Sequence, residues 1–254
     1  MPRPTDELRE LVERYLAELS LTSALGSLES PMRYALGGKR VRPVLTLATG
    51  DALGARLENL LPAAAAVELV HSFSLVHDDL PALDDDLERR GAPSVWAQFG
   101  EATAILAGDA LLAEAMRLAL TYPTGAVARE LTEATLGMIG GQQLDLEGGA
   151  ELAHLHSLKT GALFTASVMC ALWAAEAPID EHPPWREFAR ELGLLFQIVD
   201  DLLDGDGYVR AVGEDAARRL ADEAAERARA RLADVDADTD VLAEIVDGLA
   251  VRTS

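Results

Sequence analysis

The stretch SLVHDDLPALDDDLERRG, residues 74–91, closes an apolar, helix-forming run that begins near residue 57. It sets Asp78 and Asp79, then Asp84, Asp85 and Asp86, then Glu88, directly before Arg89 and Arg90. In a chain whose formal net charge is already −21, carboxylates gathered at the end of an apolar helix repel one another unless a cation joins them. A continuous helix would turn Asp84 about 120° away from Asp78, and Pro81 removes a backbone donor between them. The spacing therefore predicts a helix that loosens or ends near Pro81, so that Asp78 and Asp84 converge.

On either side of this stretch the pattern is helical almost throughout. Apolar residues recur at three and four, Ala, Leu, Glu and Arg dominate, and strand-like alternation is scarce. The reading is an all-α protein with helices over residues 5–19, 42–53, 57–79, 101–121, 125–146, 152–175, 184–203 and 213–232, and a short one near the end. Breaks fall at turn-formers such as Gly37-Gly38, Tyr122-Pro123, Gly148-Gly149 and the glycines around residue 206. Without a Pro/Ser-rich linker or a tandem repeat, residues 1–254 read as one domain. With 49% hydrophobic residues the chain is able to fill one large core.

Composition excludes several classes of function. The acidic balance argues against a general nucleic-acid binder, because phosphate backbones are met by basic faces. No uninterrupted apolar stretch approaches the ~20 residues of a membrane span. The first twenty residues alternate charged and apolar groups and carry no secretory signal. The single cysteine, Cys170, lies in an apolar run and has no partner for an internal disulfide, which fits a reducing, cytoplasmic setting.

A second acidic cluster stands in LLFQIVDDLLDGDG, residues 194–207, again after an apolar helical stretch. Asp200 and Asp204 are four apart, about 40° from each other around a helix, with Asp201 beside them. Taken singly, either cluster reads as a solvated acidic helix end. Two of them on apolar helices point to a cation instead. Their donors are all oxygens, so the cation is hard, Mg²⁺ or Ca²⁺ and not zinc, and the spacing does not match an EF-hand. Mg²⁺ binds through a few carboxylates together with substrate phosphates, which makes a phosphate-bearing ligand the natural third party. Such a ligand also needs cationic contacts. Of 22 basic residues the lysines are Lys39, in ALGGKRVRP, and Lys159, in HSLKTGALF, where a compact ammonium would meet a phosphate oxygen. GGKR lacks the P-loop spacing.

Six ordered segments, GGKRVRP, HSFSLVHDDLPALDDDLERRG, FGEATAILAGDALL, GGQQLDLEG, LHSLKTGALF and FQIVDDLLD, resemble those of the trans-isoprenyl diphosphate synthases, the polyprenyl synthetase family, in its bacterial short-chain branch. The resemblance covers roughly residues 37–204. It implies a helical bundle around a central cavity, usually in a homodimer, and condensation of isopentenyl diphosphate with dimethylallyl or geranyl diphosphate. It also implies three Mg²⁺ bridged to the allylic diphosphate by Asp78, Asp84 and Asp200, with help from Asp79 and Asp204. Arg89, Lys159, Thr160 and Gln197 are then expected around the leaving diphosphate and the developing cation. Lys39, Arg42, His71 and Arg90 resemble the isopentenyl diphosphate site. Phe73, five residues before Asp78, is the bulky side chain expected to stop the product at fifteen carbons, giving farnesyl diphosphate. A geranylgeranyl diphosphate synthase and a non-catalytic partner subunit are the alternatives. A terpene cyclase fits less well, because DDLLD is a synthase-type second motif. After Asp204 the sequence departs from the family: the glycine-lysine turn and the KxTYP-like segment are absent, the C-terminal region reads as shortened, and Arg210 is the candidate replacement for the absent lysine.

Overall fold

Burial explains why the helix leading to Asp78 has no polar face. In the computed structural model, which describes residues 3–251, Leu57–Asp78 forms a helix whose Ala63, Ala64, Ala66, Val67, Leu69 and Val70 are fully excluded from solvent. A helix apolar on all sides is a core helix. Numbered in chain order, the helices are α1 (Thr5–Glu18), α2 (Glu29–Ala35), α3 (Val41–Ala52), α4 (Leu57–Asp78), α5 (Val95–Phe99), α6 (Glu101–Ala119), α7 (Ala126–Glu147), α8 (Leu152–His156), α9 (Ala162–Ala174), α10 (His182–Asp204), α11 (Tyr208–Val212), α12 (Glu214–Ala233) and α13 (Asp240–Ala250). Two strands, β1 (Glu88–Arg89) and β2 (Ala92–Pro93), pair antiparallel.

α4 packs against α3, α6 and α9, while α9 is in turn covered by α7 and α10, and α12 lies along the outside of α10. The buried side chains of these elements form one continuous cluster. Leu57–Asp78 and Leu152–Ala174 are long and apolar enough to cross a membrane by composition, yet α4 and α9 within them pack their apolar side chains against other helices.

The long helices begin and end within two residues of the sequence expectation, with one revision. The predicted helix over 152–175 is interrupted: between α8 and α9 the chain makes a π-helical turn, Ser157–Gly161. The expected break after α4 is present. α4 ends at Asp78, and Asp84 N returns to donate to Asp78 O at 2.9 Å, so the two aspartates are brought together. The short helices α2, α5 and α11 and the hairpin were not anticipated, since five to seven residues carry too little periodicity. The hairpin turns through Arg90 (φ 57°) and Gly91 (φ 77°), both left-handed, as a two-residue turn with the twist of paired strands requires.

Candidate active site

The carboxylates of the first cluster divide. Asp78 has a pKa pushed up to about 6, first by burial, with Lys159 pulling it down and Asp84 pushing it further up. Asp79 is buried and faces the hairpin, where Arg89 Nε donates to its Oδ1 at 2.8 Å; the same guanidinium reaches Asp86 Oδ2 at 2.9 Å. Asp79 and Arg89 thus hold each other. In the second cluster Asp200 and Asp204 are exposed near the end of α10, and Asp201 between them is buried. The Asp200 carboxyl is also raised, by burial and then by Asp204 and Asp201, against the lowering pull of Arg42 and Lys39.

Among the described residues no three acidic, His or Cys side chains converge on one point. That arrangement does not suit an all-protein metal cage. It suits a hard cation that takes one or two carboxylates from the chain and the rest of its shell from water and a phosphate ligand. The raised carboxyls of Asp78 and Asp200 fit such a cation, because burial first and neighbouring carboxylates second disfavour their charged forms, and a bound cation would offset both.

Two cavities adjoin these clusters. The first, about 410 Å³, is lined by Lys39, Arg42, His71 and Arg90, with Phe196 and Asp200. Lys39 and Arg90 form no ion pair among the described residues. Gly37 and Gly38 admit the Arg90 side chain: a Cβ on Gly38, which also holds φ 102°, would stand 2.7 Å from the Arg90 guanidinium carbon. Arg42 is stacked 4.6 Å from the Phe164 ring centroid and 5.6 Å from that of Phe196. Its Nη1 lies 3.4 Å from His71 Nε2, while its Nε is buried and unpartnered. Burial lowers the Arg42 pKa to about 10 and holds His71 well below the usual histidine range, Arg42 adding to the second shift. A neutral imidazole beside clustered, incompletely paired guanidinium groups is a receptor for an anion.

The second cavity, about 270 Å³, is lined by Phe73, Leu83, Met138, Ile139 and Leu146, with Asp78, Gln142 and Lys159 among its polar members. Phe73 is buried against it, edge-on to His77 at 5.0 Å. Lys159 and Thr160 are presented by the π-helical turn, which is pressed from both sides by glycines. A Cβ on Gly141 would lie 2.6 Å from Lys159 N, and one on Gly193 3.2 Å from Gly161 Cα. Lys159 Nζ pairs with Asp145 Oδ2 at 2.5 Å, and Thr160 donates to Gln197 Oε1 at 2.7 Å. Arg210 is elsewhere: 73% exposed, it pairs with Asp206 at 3.1 Å on the surface.

Three residues of this site were not singled out in the sequence. Asp145 sits inside the GGQQLDLEG segment but has no local signal of pairing with Lys159. Arg40, in GGKR, lines the same cavity, but at φ 56° its guanidinium is already paired with Glu13 at 2.8 Å and Glu68 at 2.5 Å. Asp201, which the sequence shows only as a neighbour of Asp200, is enclosed by hydrogen bonds.

This all-α bundle, with acidic helix ends bordering a basic cavity and an apolar one, has the fold of solved isoprenoid synthases, among them one from Thermotoga neapolitana at a TM-score of 0.84 and 32% identity, over 96% of this chain and 97% of that one. The chain belongs to the polyprenyl synthetase family, whose model matches residues 26–224. It is 40% identical over 206 residues to farnesyl diphosphate synthase of Bacillus subtilis, covering 74% of this chain and 70% of that one. It is 39% identical over 216 residues to geranylgeranyl diphosphate synthase of Cyanophora paradoxa, covering 78% and 72%. Among solved structures it superposes on a geranyltransferase from Legionella pneumophila with a TM-score of 0.89 at 32% identity, over 98% of this chain and 96% of that one.

Proposed function

We propose that the protein, acting as one domain, elongates prenyl chains by joining isopentenyl diphosphate to dimethylallyl or geranyl diphosphate, with farnesyl diphosphate as its main product. The observation that carries this reading is the pair of cavities, one basic and polar, the other apolar with Asp78 and Lys159 among its lining residues. A reaction between two diphosphates, one of which carries a growing hydrocarbon, needs both kinds of space.

In this reading Lys39, Arg42 and Arg90 hold isopentenyl diphosphate, and neutral His71 adds a hydrogen bond without a competing proton load. Lys159 leaves Asp145 for the allylic diphosphate, an exchange between two anionic partners that keeps the ammonium paired throughout. Arg89, aimed by Asp79 and Asp86, sets a guanidinium beside the first cluster. Asp78, Asp84, Asp200 and Asp204 would hold Mg²⁺, and Asp79 serves them through Arg89. Magnesium, when bound, supplies the positive charge that a departing diphosphate requires. Thr160, next to Lys159 on the π-helical turn, would set its hydroxyl oxygen near the carbon from which diphosphate departs, and the apolar wall would keep water from that carbon. The hydrocarbon extends along α4 towards Phe73.

Purified protein incubated with Mg²⁺, isopentenyl diphosphate and each allylic diphosphate, followed by phosphatase treatment and analysis of the alcohols, tests this directly. Farnesol is the expected product. Geranylgeraniol would move the product assignment, and absence of elongation with every primer would reject the function.

A further inference from the structure

Asp201 belongs to an acidic cluster but is turned away from solvent, 6% exposed. Both carboxylate oxygens are already engaged: Gln197 Nε2 donates to Oδ1 at 2.8 Å and Tyr208 N donates to Oδ2 at 2.8 Å. His156 Nδ1 stands 3.9 Å from Oδ2, beyond hydrogen-bond reach. Gly207, at φ 45°, is packed so closely on the carboxylate that a Cβ there would collide with it. On the other side Gln197 accepts from the Thr160 hydroxyl at 2.7 Å. A chain of hydrogen bonds therefore runs from the loop after the second acidic cluster, through Asp201 and Gln197, to Thr160.

We propose that Asp201 is a positioning residue that fixes the polarity of the Thr160 hydroxyl. The direction of every bond in the chain follows from Asp201. A backbone N–H can only donate and an ionised carboxylate can only accept, so the Gln197 amide must turn its NH₂ to Asp201. Its oxygen is then left facing Thr160, whose hydroxyl must spend its proton on that oxygen. The lone pairs of Thr160 Oγ1 are thereby turned away from Gln197, available to a carbon that becomes positive. With the amide reversed, Thr160 would accept from NH₂ and offer its proton instead, the wrong sign for a developing cation. This rests on the prenyl-transfer reading for the presence of that cation; the relay itself rests on the hydrogen bonds.

Asp201→Asn tests it with almost no change of shape. The fixed Tyr208 N–H claims the Asn oxygen, the Asn NH₂ then faces Gln197, the glutamine reverses, and Thr160 is inverted. We expect kcat to fall by about tenfold to a hundredfold, in the range seen when a partner that orients a reacting group is lost, with KM for isopentenyl diphosphate unchanged. Adding Gln197→Glu restores an acceptor-only group next to Thr160 and should recover most of kcat. In a Thr160→Val background Asp201→Asn should cost nothing further. A parallel arm uses calorimetry with a tertiary-amine analogue of the allylic cation plus inorganic diphosphate and Mg²⁺. Its affinity should fall in Asp201→Asn and return in the double variant, which reads the relay even if the wild type elongates no chain. Where Asp201→Asn does not fold, Gly207→Ala, which crowds the same carboxylate, should weaken analogue binding, and Thr160→Val should abolish that effect. Wild-type kcat and affinity in Asp201→Asn, no recovery with Gln197→Glu, or a loss that persists without the Thr160 hydroxyl overturns the proposal.

Discussion

Phe73 and Asp78 are five residues apart on one helix and both line the apolar cavity. Replacing Phe73 with Ala removes the bulky wall, so the product distribution of the variant should move from fifteen carbons to twenty or more, read as alcohols by gas chromatography. An unchanged distribution would place the stop on other lining residues. At the polar end, Asp78→Ala and Asp200→Ala should each lower turnover by orders of magnitude while the melting temperature in chelator stays level or rises, because each removes a carboxylate held beside others of like sign. The acidic and basic residues were legible because their types and spacing are unusual in apolar surroundings. The partners of Asp79, Asp145 and Asp201 were not, since nothing local distinguishes a carboxylate that faces a cavity from one that faces a guanidinium or an amide brought in from another element. Arg40 shows the same limit from the cationic side: it neighbours Lys39 in the sequence, yet its left-handed backbone turns it into a buried ion pair with Glu68.

Helical periodicity located the long elements because each has a buried face many turns long. It could not locate the π-helical turn, which comes from the tertiary approach of α7 and α10 to residues 157–161. A π-helical turn rotates the side chains beyond it out of register with a regular helix, and here it is followed by the largely buried α9. Gly141→Ala would force a methyl group to within 2.6 Å of Lys159 N, where backbone and not a flexible side chain must give way. Expected are a lowered melting temperature and a drop in turnover larger than that of Gly140→Ala one residue earlier, where a Cβ meets nothing within 4 Å. Equal behaviour of the two variants would remove the close approach from the account. The hairpin is similar: Arg90 and Gly91 gave no strand signal, and the two-residue turn was visible only once its backbone angles were known.

At the scale of the whole molecule, α6 and α7 expose Ile105, Leu106, Leu136 and Ile139. A chain carrying −21 charges repels a copy of itself, and burying these apolar side chains would offset that repulsion. We propose that a second copy covers it. Light scattering should give the mass of a dimer for the wild type, and Leu106→Glu with Leu136→Glu should give a monomer; a monomeric wild type would end the proposal.

The setting of the basic cavity has a consequence for the rate at which substrates arrive. Lys39, Arg42 and Arg90 attract a diphosphate over a few ångströms, but the body around them pushes the same anion away from a distance. Those two fields have different ranges. The screening length shrinks from about 30 Å at 0.01 M salt to about 10 Å at 0.1 M, so moderate salt removes the distant repulsion before it weakens the contacts inside the cavity. The second-order rate of capture of isopentenyl diphosphate should therefore rise as an inert salt is added from 0.01 to about 0.1 M, the reverse of the usual slowing of an anion meeting a cationic protein, and it should fall again only when the salt is concentrated enough to reach the guanidinium groups themselves.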